Sequence, residues 1–378
     1  TRNGTLGLDA KGVRLESCAE VAKKSGKKVG IITTVTITHA TPAGFYAHTR
    51  RRSDRDVIIR DLVASGFDYF AGGGLGASDE EEAYAFVASN GYHIVRTTDE
   101  FKALKNDGRK YLTYFVNHSF PYTLDREENS KTPTVAQLVK KAIDVLDNDQ
   151  GFFIMCEGGK IDHSCHSNDS GATVYDVIAL DEAVKEALRF YEKHKDETLI
   201  VVTGDHETGG LSMGLVSADG FTPRVELLEF QKKSVSEFNK VIFSLFTEKK
   251  GNVAFADIEK LLTEYFGFLF KPDPLRSKTM VLGEKEVEKL KSIFEEDLAR
   301  FNANVKETEN YLESFIYELG NVAAKMLDKR IGVKWTTIGH SAIPVHTTAK
   351  GADGESFTGF YENTHIGQVL KKLLSEEE

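Results

Sequence analysis

The sequence is short of the residues that build small or fibrous proteins. Three cysteines, Cys18, Cys156 and Cys165, are too few and too scattered for a disulfide framework or a cysteine-rich zinc site. Seven prolines among 378 residues exclude a collagen-like chain, and 40% apolar content excludes a disordered one. No apolar run reaches the ~18 residues that a membrane-crossing helix needs. Positive charge is scarce: 48 Lys and Arg face 58 Asp and Glu, a net charge of −10. A nucleic-acid binder is therefore not expected, because phosphate backbones require a basic face. An initiator Met and a signal peptide are also missing. The chain is thus expected to continue a longer polypeptide whose targeting segment lies upstream. What remains is an ordinary globular composition, long enough for two domains or for one large domain with an insertion.

The first 205 residues alternate between two patterns. Brief apolar runs at 29–34 (VGIITT), 67–71, 92–96, 111–116, 151–156 and 198–203 predict strands. Amphipathic stretches at 17–24, 54–65, 80–90, 135–146 and 173–194 predict helices. Such alternation implies an α/β fold, a three-layer sandwich with a mostly parallel central sheet. Runs such as FFIMC and LIVV fit strands buried on both faces. Composition then shifts. Residues 221–334 hold 19 basic and 19 acidic residues, none of the 11 histidines and no cysteine. Their period is helical, as at 284–300 and 309–327, broken once by Pro272 and Pro274. This segment reads as a helical insertion, a lid or an interface element, set into a core of residues 1–220 and 335–378. Strand-like sequence resumes at 335–337 and 342–347, and a short helix with an acidic end closes the chain. The glycines at 72–74 and 76 lack the spacing of a phosphate-binding loop and read as a plain turn.

Four segments carry chemistry, each just past a predicted strand, the edge where open α/β sheets build their sites. They are E-G-G-K-I-D-H-S-C-H from Glu157 to His166, G-D-H-E-T from Gly204 to Thr208, Gly339-His340-Ser341, and His39-Ala40-Thr41-Pro42. Asp162 and His166 are four apart and Asp205 and His206 adjacent, an oxygen-and-nitrogen donor set that suits zinc. Glu157 and Thr41 offer oxygen alone, which suits magnesium. Isolated histidines such as His93 and His194 read as surface residues.

These motifs, in this order, together with T-R-N-G-T-L-G-L-D, H-A-T-P-A-G-F and F-x-G-F-Y-x-N-T, resemble the alkaline phosphatase family. The resemblance covers residues 1–215 and 335–370. It implies that Asp162, His166 and His340 hold one zinc, that Asp205 and His206 hold a second, and that Thr41 and Glu157 hold a magnesium. It places a phosphate-clamping arginine at Arg52, with Arg50 and Arg51 as neighbouring alternatives. His39 and His163 stand where some members carry Asp and Lys, behind the metal ligands. The implied reaction is hydrolysis of small phosphomonoesters through a phosphoserine intermediate, between two zinc ions and one magnesium. A homodimer in the periplasm or outside the cell follows from the same likeness.

The family's nucleophilic serine lies in a D-S-A motif upstream of T-R-N-G, beyond Thr1. The 378 residues alone are therefore expected to be inactive, and a missing N-terminal segment is an expected partner. Asp169-Ser170-Gly171-Ala172 imitates the motif, but small residues there read as a helix start capped by Asn168 or Ser170. Two alternatives stay open: another phosphoesterase or mutase of the superfamily, and a metal-binding scaffold without catalysis.

Overall fold

A computed structural model describes residues 4–127, 130–214, 223–304 and 318–375. Its central sheet has five strands: β1 (Lys28–Thr36), β2 (Tyr69–Gly73), β3 (Tyr92–Val95), β4 (Lys110–Tyr114) and β5 (Phe152–Glu157). They run β3-β4-β2-β1-β5 across the sheet, all parallel. Neighbouring residues of a strand point to opposite faces. Ile31, Phe70 and Leu112 accordingly enter one apolar cluster, while Ile32, Tyr69 and Tyr111 enter another.

The helices complete the layers. Those of the core are α1 (Cys18–Lys24), α2 (Ala40–Ala43), α3 (Arg55–Ser65), α4 (Glu80–Ser89), α5 (Thr98–Ala103), α6 (Val135–Leu146), α7 (Gly159–His166) and α8 (Ser170–Tyr191). Ala19, Ile58 and Tyr84 of α1, α3 and α4 cover the first face, and Leu138 and Val145 of α6 cover the second. Reciprocal capping boxes, Ser17 with Glu20 and Thr134 with Gln137, start α1 and α6.

Past the core lie α9 (Val235–Glu248), α10 (Phe255–Phe266), α11 (Glu284–Asn304) and α12 (Glu318–Ile331). Phe238, Ile242, Phe246, Leu262 and Leu290 give these four helices an apolar core of their own. The part of the expected helix before Glu318 lies outside the described residues. The chain then returns to the core and ends on α13 (Thr364–Ser375), which packs on α1.

Several expectations need correction. The LIVV run forms β6 (Leu199–Val202), but it pairs antiparallel with β11 (Thr348–Gly351) rather than joining the parallel sheet. Two further ladders have two residues on each strand: β7 (Glu207–Thr208) with β10 (His340–Ser341), and β8 (Ser212–Met213) with β9 (Val333–Lys334). Residues 335–337 are not a strand, because the amides of Thr336 and Thr337 both bond the Gly209 carbonyl. Residues 342–347 are irregular too, and Pro344 there has no amide for a ladder.

Two local readings also change. The α8 cap is Asp169, whose carboxylate accepts the Ala172 amide, and neither Asn168 nor Ser170. Gly72 and Gly73 are strand rather than turn. A Cβ on Gly73 would stand 2.3 Å from the His118 carbonyl oxygen, and one on Gly74 would stand 2.6 Å from that of Asn117. The glycines are required by backbone packed against backbone.

Candidate active site

The ends of β1 and β5 bring the first groups together. Glu157 is the last residue of β5, and Thr33 of the paired β1 donates its hydroxyl to the Glu157 carboxylate. The Thr41 hydroxyl, from α2, bonds the same carboxylate. Burial pushes Glu157 up to about 7, with Asp205 and Asp162 adding to the effect against the Thr33 and Thr41 hydrogen bonds. Two oxygen donors thus converge on one carboxyl beside two further acids. Thr33 was missed in the sequence, where it reads as one of seven β-branched residues of the strand.

The turn at Gly158 leads from β5 into α7. Asp162 and His166 lie one helical turn apart and so share a face. His166 Nε2 is 3.4 Å from Asp162 Oδ1. The His166 Nδ1 faces the Ile338 carbonyl oxygen at 2.5 Å. A carbonyl only accepts, so the ring proton sits on Nδ1 and Nε2 presents its lone pair.

The segments Gly204 to Thr208 and Gly339 to Ser341 meet through a short ladder. β7 pairs antiparallel with β10, setting Thr208 opposite His340 and Glu207 opposite Ser341. The Ser341 hydroxyl donates to Glu207, whose other oxygen accepts the Gly210 amide. This ladder stacks the His340 ring on that of His206, with centroids 3.5 Å apart, and sets it 5.2 Å from the His166 ring. Asp162, His206 and His340 have ligand atoms all within 4.8 Å of one another. That trio crosses the division implied by the resemblance, since His206 was assigned there to a different zinc from Asp162 and His340. Asp205 stands at the rim, its side chain 66% exposed and Oδ2 3.5 Å from His206 Nε2.

A third group lines the other side. The His39 and His163 rings meet edge to face at 5.6 Å, and Arg52 Nη2 lies 3.2 Å from His39 Nε2. A guanidinium only donates, so His39 carries its proton on Nδ1, which is buried and has no partner among the described residues. Both rings are pushed down to about 4, His39 by burial and then by His163 and Arg52, His163 by burial and then by Lys160. Of the three neighbouring arginines, Arg52 faces this group. The Arg50 guanidinium lies next to Gly12, and all three arginines are exposed, so the contact with His39 alone sets Arg52 apart.

Ser170 is not at this centre. It is 3% exposed at the start of α8, and its hydroxyl accepts the Trp335 indole N–H.

A parallel α/β sheet with carboxylate and imidazole donors converging at its carboxyl edge, and a guanidinium beside them, defines a metal-dependent hydrolase of phosphate esters. The sequence model of the alkaline phosphatase family matches residues 1–67 and 78–376, and the chain belongs to that family. Alkaline phosphatase 3 of Bacillus subtilis is 29% identical over 383 residues, covering 99% of this chain and 74% of the relative. The crystal structure of a cold-active alkaline phosphatase from a psychrophilic Shewanella superposes with a TM-score of 0.80 at 24% identity, over 100% of this chain and 82% of that one. The Thermus thermophilus alkaline phosphatase gives a TM-score of 0.75 at 26% identity, over 100% of this chain and 77% of that one. The function that follows is hydrolysis of phosphomonoesters, and the fold is that of an alkaline phosphatase.

Proposed function

We propose a centre of two zinc ions and one magnesium for this phosphomonoester hydrolysis. Asp162, His166 and His340 would serve one zinc, Asp205 and His206 the second, and Thr41 and Glu157 the magnesium. The observation that carries a metal centre here is the approach of the Asp162, His206 and His340 ligand atoms to within 4.8 Å of one another, from three separate segments, although the resemblance divides them between two zincs. The donor chemistry fits: imidazole with carboxylate for zinc, oxygen alone for magnesium. When bound, such ions act as Lewis acids, activating the attacking oxygen and stabilising the leaving one.

The protein's own groups complete the chemistry. The Arg52 fork matches two phosphoryl oxygens at once and orients the ester for in-line attack. His39, neutral and accepting from Arg52, aims that fork. His163, neutral and edge-on to His39, adds no charge against the phosphate cradle. In a phosphoserine route, Ser170 takes no part because its hydroxyl is buried against Trp335.

The remaining parts of the proposal concern assembly. β5 carries an apolar run yet lies at the sheet edge, half-buried along its whole length. An N-terminal segment adding a strand there would pair it, which supports such a segment as partner. Exposed Ile338 and Ile343, which flank the His340 strand, and exposed Phe360 further along the chain favour a homodimer contact, with residues 221–334 as a lid or second interface. A periplasmic or extracellular home belongs to the same proposal. Among the described residues no helix is long and apolar enough to cross a membrane.

Metal analysis of the purified protein, with p-nitrophenyl phosphate turnover of the full gene product, tests the reading. His340→Ala and His206→Ala should each remove close to one zinc equivalent and abolish turnover. Unchanged zinc content in both variants would overturn it.

A further inference from the structure

One hydroxyl joins ligands that the family resemblance assigns to different metals. Thr208 Oγ1 lies 2.7 Å from Asp162 Oδ1 and 3.1 Å from His206 Nδ1. A threonine hydroxyl has a single proton and two lone pairs. A carboxylate that binds metal can only accept, so that proton goes to Asp162. The contact with His206 must then run the other way, with Nδ1–H donating to Thr208 Oγ1. A neutral imidazole has one N–H, so Nε2 is left with its lone pair free for a metal.

The fold keeps this hydroxyl in place. Thr208 is 7% exposed, so water cannot easily replace either partner. His206 lies in the bend just before β7 and Thr208 ends that strand, and their 3.1 Å contact sets both side chains on one side. The main chain of Thr208 is held by the ladder to His340, and its β-branched side chain has few rotamers to choose from. A histidine ligand ordinarily passes its second N–H to a carbonyl or carboxylate, as His166 does with Ile338. His206 passes its own to a hydroxyl that in turn holds another ligand.

We infer that Thr208 is a positioning residue for both metal subsites: its hydroxyl fixes the His206 tautomer and, with the same oxygen, orients the Asp162 carboxylate. This rests on the metal-centre reading above. Loss of the hydroxyl would disturb a ligand of each proposed zinc together. Outer partners of metal ligands commonly contribute about 10- to 100-fold in metal affinity.

The test compares Thr208→Val, which keeps shape and branching, with Thr208→Ser, which keeps the hydroxyl. Zinc affinity is read by competition with a chromophoric chelator. The His206 tautomer is read by long-range nitrogen-15 NMR on histidine-labelled protein, assigned with His206→Ala. The inference expects Nδ1–H in the wild type, a zinc affinity about 10-fold or more weaker in Thr208→Val, a mixed tautomer there, and recovery of both in Thr208→Ser. Full zinc affinity with an unchanged tautomer in Thr208→Val overturns it. Should Thr208→Val fail to fold, an Nε2–H tautomer in the wild type overturns it as well, and Thr208→Ser still reads the affinity. The two readings fail separately. Zinc affinity unmoved in Asp162→Ala and His206→Ala sinks the metal centre and this inference with it, whereas affinity lost in those variants but kept in Thr208→Val sinks the inference alone.

Discussion

Asp169 accepts the backbone amide of Val235 at 2.6 Å, and so ties the start of α8 in the core to the start of α9 beyond it. Its other oxygen takes the Ala172 amide at 3.0 Å and the Gln231 side chain at 2.6 Å. Asp125 repeats the device, accepting both the amide and the hydroxyl of Ser234. Removing this buried carboxylate takes the acceptor from the Ala172 and Val235 amides and leaves the Gln231 side-chain amide only the Lys233 carbonyl. Asp169→Ala should therefore lower stability by about 3 kcal/mol in urea denaturation. Amide exchange should rise first at the starts of α8 and α9. A loss below about 1 kcal/mol would show that the apolar contacts alone hold the four helices in place.

Asp328 predicts a pH-dependent gain. It lies on α12, 5% exposed, with Oδ2 unpartnered among the described residues. Burial, with Asp169 adding to it, pushes its carboxyl up to about 7, against hydrogen bonds from Ser170 and Trp335. A carboxyl raised in the fold keeps its proton where the unfolded chain has lost it. Its contribution to stability therefore falls as pH rises from about 4, the unfolded value, to about 7. Asp328→Asn removes that loss. The advantage of the variant over wild type should grow by on the order of 2 kcal/mol between pH 5 and pH 8. A constant difference in Tm across that range would refute the assignment.

Arg52 and Arg50 should separate in phosphate binding. Arg52 stands beside His39, while the Arg50 guanidinium lies next to Gly12. A lysine keeps the charge but loses the two-pronged geometry. Arg52→Lys should weaken competitive inhibition by inorganic phosphate about 10-fold, equivalent to about 1.4 kcal/mol. Arg50→Lys should change it less than about twofold. The reverse ranking would move the clamp.

The sequence carried the layers because strand periodicity and capping are local. Ile31 and Ile32 announce a strand buried on both sides, and Ser17 with Glu20 announces a helix start. It did not carry the fate of β6, since pairing with β11 depends on residues almost 150 positions later. Motif spacing brought Asp162 to His166 along one helix, where four residues make one turn. The stacking of His206 on His340 was not legible, because the resemblance put the two on different zincs. It depends on a two-residue ladder too short to leave a pattern. Thr208 had a signal, two positions after a ligand on the same side of the chain, that is meaningful only once the ligand is known.

The glycine run offers the sharpest contrast between two explanations of one sequence feature. A phosphate-cradling loop needs free amides and open space. Gly73 and Gly74 instead lie against the backbone of residues 117 and 118, and a Cβ at either would meet main-chain atoms within 3 Å that no rotamer change can clear. Gly76 differs: its φ is +61°, and a Cβ there would meet nothing closer than 3.8 Å. Gly76→Ala should then cost only the left-handed conformation, roughly 1 kcal/mol. Gly73→Ala must push apart β2 and the segment after β4, with a loss of about 3 kcal/mol or failure to fold. Thermal unfolding of the two variants reads the difference directly. Equal effects at Gly73 and Gly76 would mean that the 117–118 segment yields easily, and the close approach would no longer explain the glycines.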